Sequence, residues 1–184
     1  MTTLSSTAWV LHDLGLAAVF GGKLFDKLAV HPSLQAISDP EERAFVEDRA
    51  WRRYSVVHAV SLATLASTWL VGRKLLSGRE VTKSARALTI TKDALIGGAV
   101  VTGIASIVLG RLLGRETERG AAPLDESGQA APYASRRARG LQKATEALST
   151  AGMALDAGVI GVTALLAMQA GKSGKFSLLS RILP

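Results

Sequence analysis

The sequence has no cysteine among its 184 residues, and aromatic side chains make up only 5% of it. Without cysteine the chain forms no disulfide and offers no thiolate nucleophile, no cysteine-ligated zinc and no iron–sulfur cluster. It also lacks the motifs of phosphate-binding loops, zinc proteases, serine-hydrolase nucleophile elbows and dinucleotide-binding folds. These absences favour a protein that is not an enzyme, and we predict no catalytic residue, no bound metal and no cofactor.

Residues 55–72 form an apolar run of eighteen residues without a formal charge. Arg52 and Arg53 precede this run, and Arg73 and Lys74 follow it. A helix needs ~20 apolar residues to cross the ~30 Å hydrocarbon core of a bilayer. The run therefore predicts a transmembrane helix.

Three other apolar segments accompany this run, and together they define the predicted fold. We predict an all-α, polytopic membrane protein with a single domain, residues 1–184, in which four transmembrane helices form an antiparallel bundle. The predicted helices span residues 8–30, 54–76, 94–113 and 144–170. An extra interfacial helix precedes residue 54, unless those residues continue directly into the second span. A flexible linker over 115–140 and an amphipathic tail over 172–184 complete the prediction, and a soluble four-helix bundle is the alternative.

The net charge of +7 comes from basic residues that flank the apolar segments. No basic stripe interleaved with aromatic residues occurs, so the charge favours contact with anionic lipid headgroups over nucleic acid. We therefore expect the lipid bilayer as a partner, no nucleic acid, and a location in a bacterial inner membrane. The distribution of Lys and Arg leans toward both termini outside.

The first predicted helix carries a polar stripe along one side. At 100° per residue, one narrow face of this helix holds His12, Gly15, Val19, Gly22, Lys23 and Asp26. A helix cannot expose such a stripe to lipid, so the stripe is expected to face other helices or a water-filled cavity. Lys23 and Asp26 are three residues apart and can pair.

Five polar residues form a first candidate cluster: His12, Asp13, Lys92, Asp93 and Asp156. The first four share a depth near one face, because the odd-numbered predicted helices start there, and Asp156 lies nearer the middle. Carboxylates inside a bilayer normally pair or line a pathway, so a proton relay or a cation site is one hypothesis. The alternative is structural: Lys92 and Asp93 cap the third helix, and Asp156 forms a single stabilising ion pair.

A second candidate cluster, toward the opposite face, contains Lys23, Asp26, His31 and His58. Three of these residues are possible metal ligands, but no spacing motif supports a metal site, and none is predicted. His12 and His58 are expected near opposite faces, which argues against a haem held by the two histidines.

Small residues four apart recur on the third and fourth predicted helices, and such pairs let two helices approach closely. The pairs are Ala99 with Gly103, Gly110 with Gly114, Ala154 with Gly158, and Ala157 with Gly161. They favour association with a second copy of the chain or with another membrane protein.

The first half of the chain carries a pattern of glycines, a proline and aromatic residues: Gly21, Gly22, Phe25, Pro32, Trp51 and Tyr54. Over residues 12–72 this pattern resembles the DoxX-like group of small four-helix bacterial membrane proteins. The resemblance implies a four-helix membrane bundle and no settled activity, so it transfers no catalytic residue.

Three functional hypotheses follow from these features. The first is an integral membrane subunit or scaffold that packs through its Gly/Ala-rich helix faces in a homo- or hetero-oligomer. The second is a small transporter or channel that uses the intramembrane Asp, Lys and His residues. The third is a membrane redox or quinone-handling protein that uses the histidines.

Overall fold

The computed structural model describes residues 2–76, 83–116 and 122–182, and within these ranges the chain is helical with no strand. The helices are α1 (Thr2–Phe25), α2 (His31–Leu34), α3 (Pro40–Leu76), α4 (Lys83–Leu113) and α5 (Arg136–Ile182), with a π-helical turn (Asp26–Val30) between α1 and α2. Four helical stretches are long and apolar enough to cross a membrane: Thr7–Leu34, Pro40–Lys74, Lys83–Leu113 and Arg136–Gln169. The all-α class and the four candidate spans are thus confirmed.

The prediction of a separate interfacial helix before residue 54 is wrong, because α3 is continuous from Pro40 to Leu76. Asp39 caps this helix by accepting a hydrogen bond from the Glu41 backbone N–H at 2.8 Å. Proline fits the first helical turn, and residues 41–71 contain no glycine or proline. The chain therefore enters the apolar run without a break.

Of the predicted linker over 115–140, residues 136–140 belong to α5 instead, and the described residues before them pack against the helices. Leu124 and Ala131 are 2% exposed, and Gly128 adopts a φ of 77° that favours glycine. Hydrogen bonds from Ser127 hold the pKa of Asp125 below its ordinary value, so the turn favours the ionised carboxylate and weakens as the pH falls through that pKa. Residues 122–135 form an ordered loop, whereas 117–121 lie outside the described residues.

The predicted fourth helix and tail form one longer helix. Ser135 caps α5 by accepting a hydrogen bond from the Ala138 N–H at 3.0 Å, so the helix starts in the basic run at Arg136. Residues 172–182 of the predicted amphipathic tail continue this helix, and 183–184 lie outside the described residues.

The helices pack as two pairs, α1 with α3 and α4 with α5, through notches at glycine. A Cβ on Gly15 would lie 2.9 Å from the Ser61 carbonyl oxygen, so the α1 and α3 backbones nearly touch. The α4–α5 notches are reciprocal, since Leu155 packs on Gly98 and Leu95 packs on Gly158. Between the pairs lies an apolar core formed by Leu16, Leu65, Trp69, Ile96 and Val159.

The predicted polar stripe of α1 is confirmed as a buried face. His12 is 3% exposed, Val19 is fully buried and Lys23 is 5% exposed. The stripe faces the other helices because α1 packs on both α3 and α5.

The small-residue pairs occupy different environments, and only some of them lie between helices. Ala99 and Gly103 are buried, and Gly103 receives the Leu62 side chain. Ala154, Ala157 and Gly161 are exposed, and Gly110 and Gly114 line a cavity described below.

We predict that Gly15→Ala lowers the free energy of unfolding in mild detergent by about 1–3 kcal/mol, because the new methyl group forces α1 away from the α3 backbone. Gly21→Ala is the matched control, since a Cβ on Gly21 meets no atom within 4 Å. The control should be neutral or stabilising by up to about 1 kcal/mol, as alanine favours helix. Equal effects of the two substitutions would contradict the close contact.

Candidate functional site

A cavity of ≈ 1490 Å³ lies between the π-helical turn, α3, α4, α5 and the ordered loop. Its basic lining residues are Lys23, Lys27, Arg52, Arg111, Arg115 and Lys143. Its acidic lining residues are Asp26, Glu47, Asp48 and Glu146, and its histidines are His31 and His58. Such a density of charge inside a bundle of apolar helices is expensive unless the charges serve a function or pair with one another.

Lys23, at the floor of the cavity, forms a buried ion pair that joins α1 to α5. Lys23 Nζ donates a hydrogen bond to Asp156 Oδ2 at 2.8 Å, and the two side chains are 6% and 0% exposed. Gly152 makes room for the ammonium, because a Cβ there would lie 2.6 Å from Lys23 Nζ and 3.3 Å from Thr102 Oγ1. The second carboxylate oxygen, Asp156 Oδ1, is buried without a hydrogen-bond partner among the described residues.

Two α3 side chains stand beside this pair. His58 lines the cavity, is 5% exposed, and has a buried Nδ1 without a hydrogen-bond partner in the described part of the chain. The Tyr54 hydroxyl donates to the Ala18 carbonyl oxygen, and its ring centroid lies 6.1 Å from that of His58. Gly22 leaves the space that the Tyr54 hydroxyl fills.

The cavity wall holds most of its charges in local pairs. Trp51 Nε1 donates to Asp26 Oδ1 at 3.1 Å, and Lys27 Nζ donates to Thr150 Oγ1 at 2.9 Å. Arg52 pairs with Asp48 at 2.6 Å, and His31 Nδ1 lies 3.9 Å from Glu47 Oε1. These four contacts give a polar partner to three acids, two basic residues and His31 of the wall, so these side chains can remain in place around water.

The ordered loop is fastened over one end of the cavity by Arg43, which is 3% exposed. The Arg43 guanidinium donates to the carbonyl oxygens of Leu34, Ile37 and Leu124, the last at 2.9 Å. Gln142 also donates to the Gly128 carbonyl oxygen at 3.2 Å. One buried arginine thus connects α2, α3 and the loop.

The other end of the bundle holds a separate polar layer around Lys92, which is fully buried. Lys92 Nζ lies 4.4 Å from the Trp69 ring centroid and 5.5 Å from that of Trp9, and it has no hydrogen-bond partner in the described ranges. His12 lies beside Trp9 and Trp69, with its Nδ1 3.3 Å from Thr68 Oγ1. The ammonium is held by ring faces, a cation–π arrangement.

Asp93 belongs to this layer through its hydrogen bonds. It accepts one from Trp69 Nε1 at 2.7 Å and forms an ion pair with Arg73 at 3.1 Å. Asp13 is exposed at the same end and acts electrostatically on His12 and Lys92.

The structure brings together four of the five residues of the first candidate cluster and corrects the place of the fifth. Asp156 does not join His12, Asp13, Lys92 and Asp93; it pairs with Lys23 of the second cluster instead. The long lysine side chain reaches across Gly152, a contact that depth along the helices alone did not reveal. The expected pairing of Lys23 with Asp26 is likewise wrong, because Asp26 is bound by Trp51.

All four residues of the second cluster, Lys23, Asp26, His31 and His58, line the cavity. Sequence reasoning missed Glu47, Gly152 and Arg43, and it used Trp51 and Tyr54 as part of the pattern shared with the DoxX-like group. The positions of Trp51 and Tyr54 carried a usable signal. They lie about one helical turn apart on the face that also holds His58, which indicates that they face the same interior site. No group of three or more His, Asp or Glu residues in the described ranges could hold a metal ion.

Comparisons of the chain with protein-family models, with curated proteins and with solved structures give no match.

We predict that Arg43→Lys accelerates hydrogen exchange of the backbone amides in residues 122–131 by about tenfold or more. Lysine cannot replace the several hydrogen bonds of the guanidinium, and bonds from a charged donor contribute ~1.5–3 kcal/mol each. Arg49→Lys is the matched control, because Arg49 is exposed and only covers the Phe45 ring at 5.6 Å. Unchanged exchange in the Arg43 variant would contradict its role as the fastening of the loop.

We predict that Lys92→Met leaves the free energy of unfolding in detergent within about 1 kcal/mol of wild type. Methionine loses the cation–π attraction but removes a buried ammonium that lacks a hydrogen bond, and the two effects are of similar size. Trp69→Phe, which keeps the ring but loses the hydrogen bond to Asp93, should cost about 1–3 kcal/mol. A loss above ~3 kcal/mol for Lys92→Met would contradict the cation–π account and indicate an anionic partner.

Proposed function

We propose that this protein is an integral membrane protein, in a bacterial inner membrane, that takes a small polar solute into its cavity and carries it across the bilayer. The observation that carries the proposal is the charged cavity that ends at the Lys23–Asp156 ion pair. A four-helix membrane bundle is also what the DoxX-like resemblance implies.

The order of the contacts supports an antiparallel bundle. Along α4 and α5, Leu95 meets Gly158, Gly98 meets Leu155, and Thr102 lies near Gly152, so the numbers rise on one helix as they fall on the other. Hairpins of this kind place the ordered loop at one membrane face and the start of α1 at the other.

The ion pair lies near the middle of such a bundle. Lys92, in the end layer, and Thr102, beside the pair, are ten positions apart on α4. At ~1.5 Å per residue this spacing is about 15 Å, or half of a ~30 Å hydrocarbon core. Midplane binding sites are usual in secondary transporters.

The cavity is closed on the side that faces the termini. Beyond the floor, Leu16, Leu65, Ile96 and Val159 form an apolar plug, and the Lys92 layer follows it. A solute that enters past the loop therefore meets the ion pair, then a barrier without polar groups. A cavity open to one side and blocked beyond its midpoint fits one state of an alternating-access carrier.

A subunit or scaffold function is the second candidate, and a shallow apolar groove on the outer side of α4 favours it. The groove is lined by Val101, Ile104, Ala105, Val108 and Leu109. Lipid chains cover such a groove as readily as a partner helix does, and association requires no charged interior. The redox hypothesis is less well supported, because the apolar plug separates His12 from His58.

We predict that Ser106→Cys reacts with a membrane-impermeant, charged thiol reagent, whereas Ile104→Cys does not. Ser106 lines the cavity, and Ile104 is 56% exposed on the outer surface of the same helix. The absence of native cysteine makes each variant a single reporter. In a bilayer the outer position faces lipid and stays unreactive, while the cavity position is in water.

The assay is made on the full chain in liposomes, with labelling measured by mass spectrometry. Reaction at Ile104→Cys faster than at Ser106→Cys is the result expected of a soluble bundle and would contradict membrane insertion. An unreactive Ser106→Cys, with Ile104→Cys also unreactive, would contradict a water-filled cavity.

A further inference from the structure

Lys23 stands between the cavity and Asp156. Lys23 is a lining residue of the cavity, whereas Asp156 is not and has a fully buried side chain. An ammonium group has three N–H donors, and the described residues supply Lys23 Nζ with one acceptor, Asp156 Oδ2. A group that approaches from the cavity therefore reaches the lysine first and can be bound by its remaining donors.

Asp156 has a vacant position for a proton. Its Oδ1 atom is buried and has no donor among the described residues, while Oδ2 is engaged by Lys23. A proton on Oδ1 removes the negative charge without breaking the existing hydrogen bond. Lys23 then carries a positive charge that no counter-ion balances.

The other described groups that face the pair do not supply a replacement anion. Tyr54 and His58 face it from α3, and Thr102 and Gly152 lie beside Lys23 Nζ on α4 and α5. None of these side chains is an acid that is ionised near neutral pH. The counter-ion must therefore come from the cavity.

We propose that a small oxyanion, the carboxylate, phosphate or sulfate group of a solute, binds Lys23 from the cavity as Asp156 takes up one proton. This inference rests on the proposed function and names its substrate class. The exchange is electroneutral for a monovalent group, because the added proton cancels the charge of Asp156 and the anion replaces that charge on Lys23. No covalent bond is formed or broken except the O–H bond on Asp156.

The charges of the cavity agree with this substrate class. Among the described residues the lining holds six Lys or Arg and four Asp or Glu, an excess of two positive charges with neutral histidines, and one of the six, Lys23, is balanced by Asp156. Three of the acids have partners close by, since Asp26 accepts from Trp51, Asp48 pairs with Arg52 and Glu47 lies beside His31. Glu146 remains as an acid in electrostatic range of Glu47, so its side chain is a useful control.

The test is calorimetric titration of the full chain in detergent with sulfate, in two buffers of different ionisation enthalpy, to count protons taken up per anion. Sulfate itself does not titrate between pH 6 and about pH 8, the range of the assay. We expect about one proton per sulfate for wild type and for Glu146→Gln. Asp156→Asn, which imitates the protonated acid, should bind without proton uptake and about tenfold more tightly at the upper end of the range.

The double variant Lys23→Gln with Asp156→Asn keeps a neutral hydrogen-bonded pair and should bind no sulfate. Circular dichroism of this double variant checks that it is folded, so that a loss of binding is not caused by unfolding. Repeating the titration with phosphatidylglycerol in the micelles distinguishes the two possible sources of the oxyanion. Competition between the lipid and sulfate assigns the anion-binding chemistry to a lipid headgroup. No competition assigns it to a free solute.

Sulfate binding by wild type without proton uptake, or proton uptake retained in Asp156→Asn, would overturn the inference. So would a failure of wild type to bind sulfate, or binding by the folded double variant. The thiol-labelling result at Ser106 is independent of these outcomes. Labelling of Ser106→Cys without sulfate binding would refute the exchange of the anion for the charge of Asp156, but it would not contradict the proposed solute pathway.

Discussion

The structure depends on the contact between Lys23 and Asp156, which joins the first long helix to the last at 2.8 Å. A buried ion pair that loses one of its two partners leaves an uncompensated charge, which costs ~3–5 kcal/mol. This cost fixes how α1 and α5 face each other. It also accounts for Gly152, whose missing side chain admits the ammonium, and for the polar residues that follow Lys23 toward the loop.

The interior contains two polar regions, and an apolar plug separates them. The ion pair lies on the cavity side of this plug. On one side lies the charged cavity, and on the other side Lys92 lies near the rings of Trp9 and Trp69. Lys92 is held by ring faces and does not border the cavity. Lys23 has one acceptor and borders the cavity, so it can exchange that acceptor for another. This difference between Lys92 and Lys23 is why the proposed chemistry is placed at Lys23.

Much of the helical framework could be predicted from the sequence, because apolar length and local periodicity are properties of each segment alone. The buried stripe of α1, from His12 to Lys23, followed from the helical repeat in the same way. The partner of Asp156 could not be predicted, since it lies 133 residues away and its choice depends on how two helices rotate and slide against each other. The ordered loop was missed for a related reason: its small and polar residues indicate disorder unless the buried Arg43 is known to bind the Leu124 carbonyl oxygen.

The most direct measurement is a double-mutant cycle on the ion pair, with Lys23→Met, Asp156→Leu and the two combined, read as unfolding free energies in detergent. Each single change leaves one buried charge alone and should be strongly destabilising, while the combined variant removes both charges and should recover most of the loss. We expect a coupling energy of about 3 kcal/mol. A coupling energy near zero, with losses that simply add, would contradict the ion pair as the contact on which the bundle and its cavity depend.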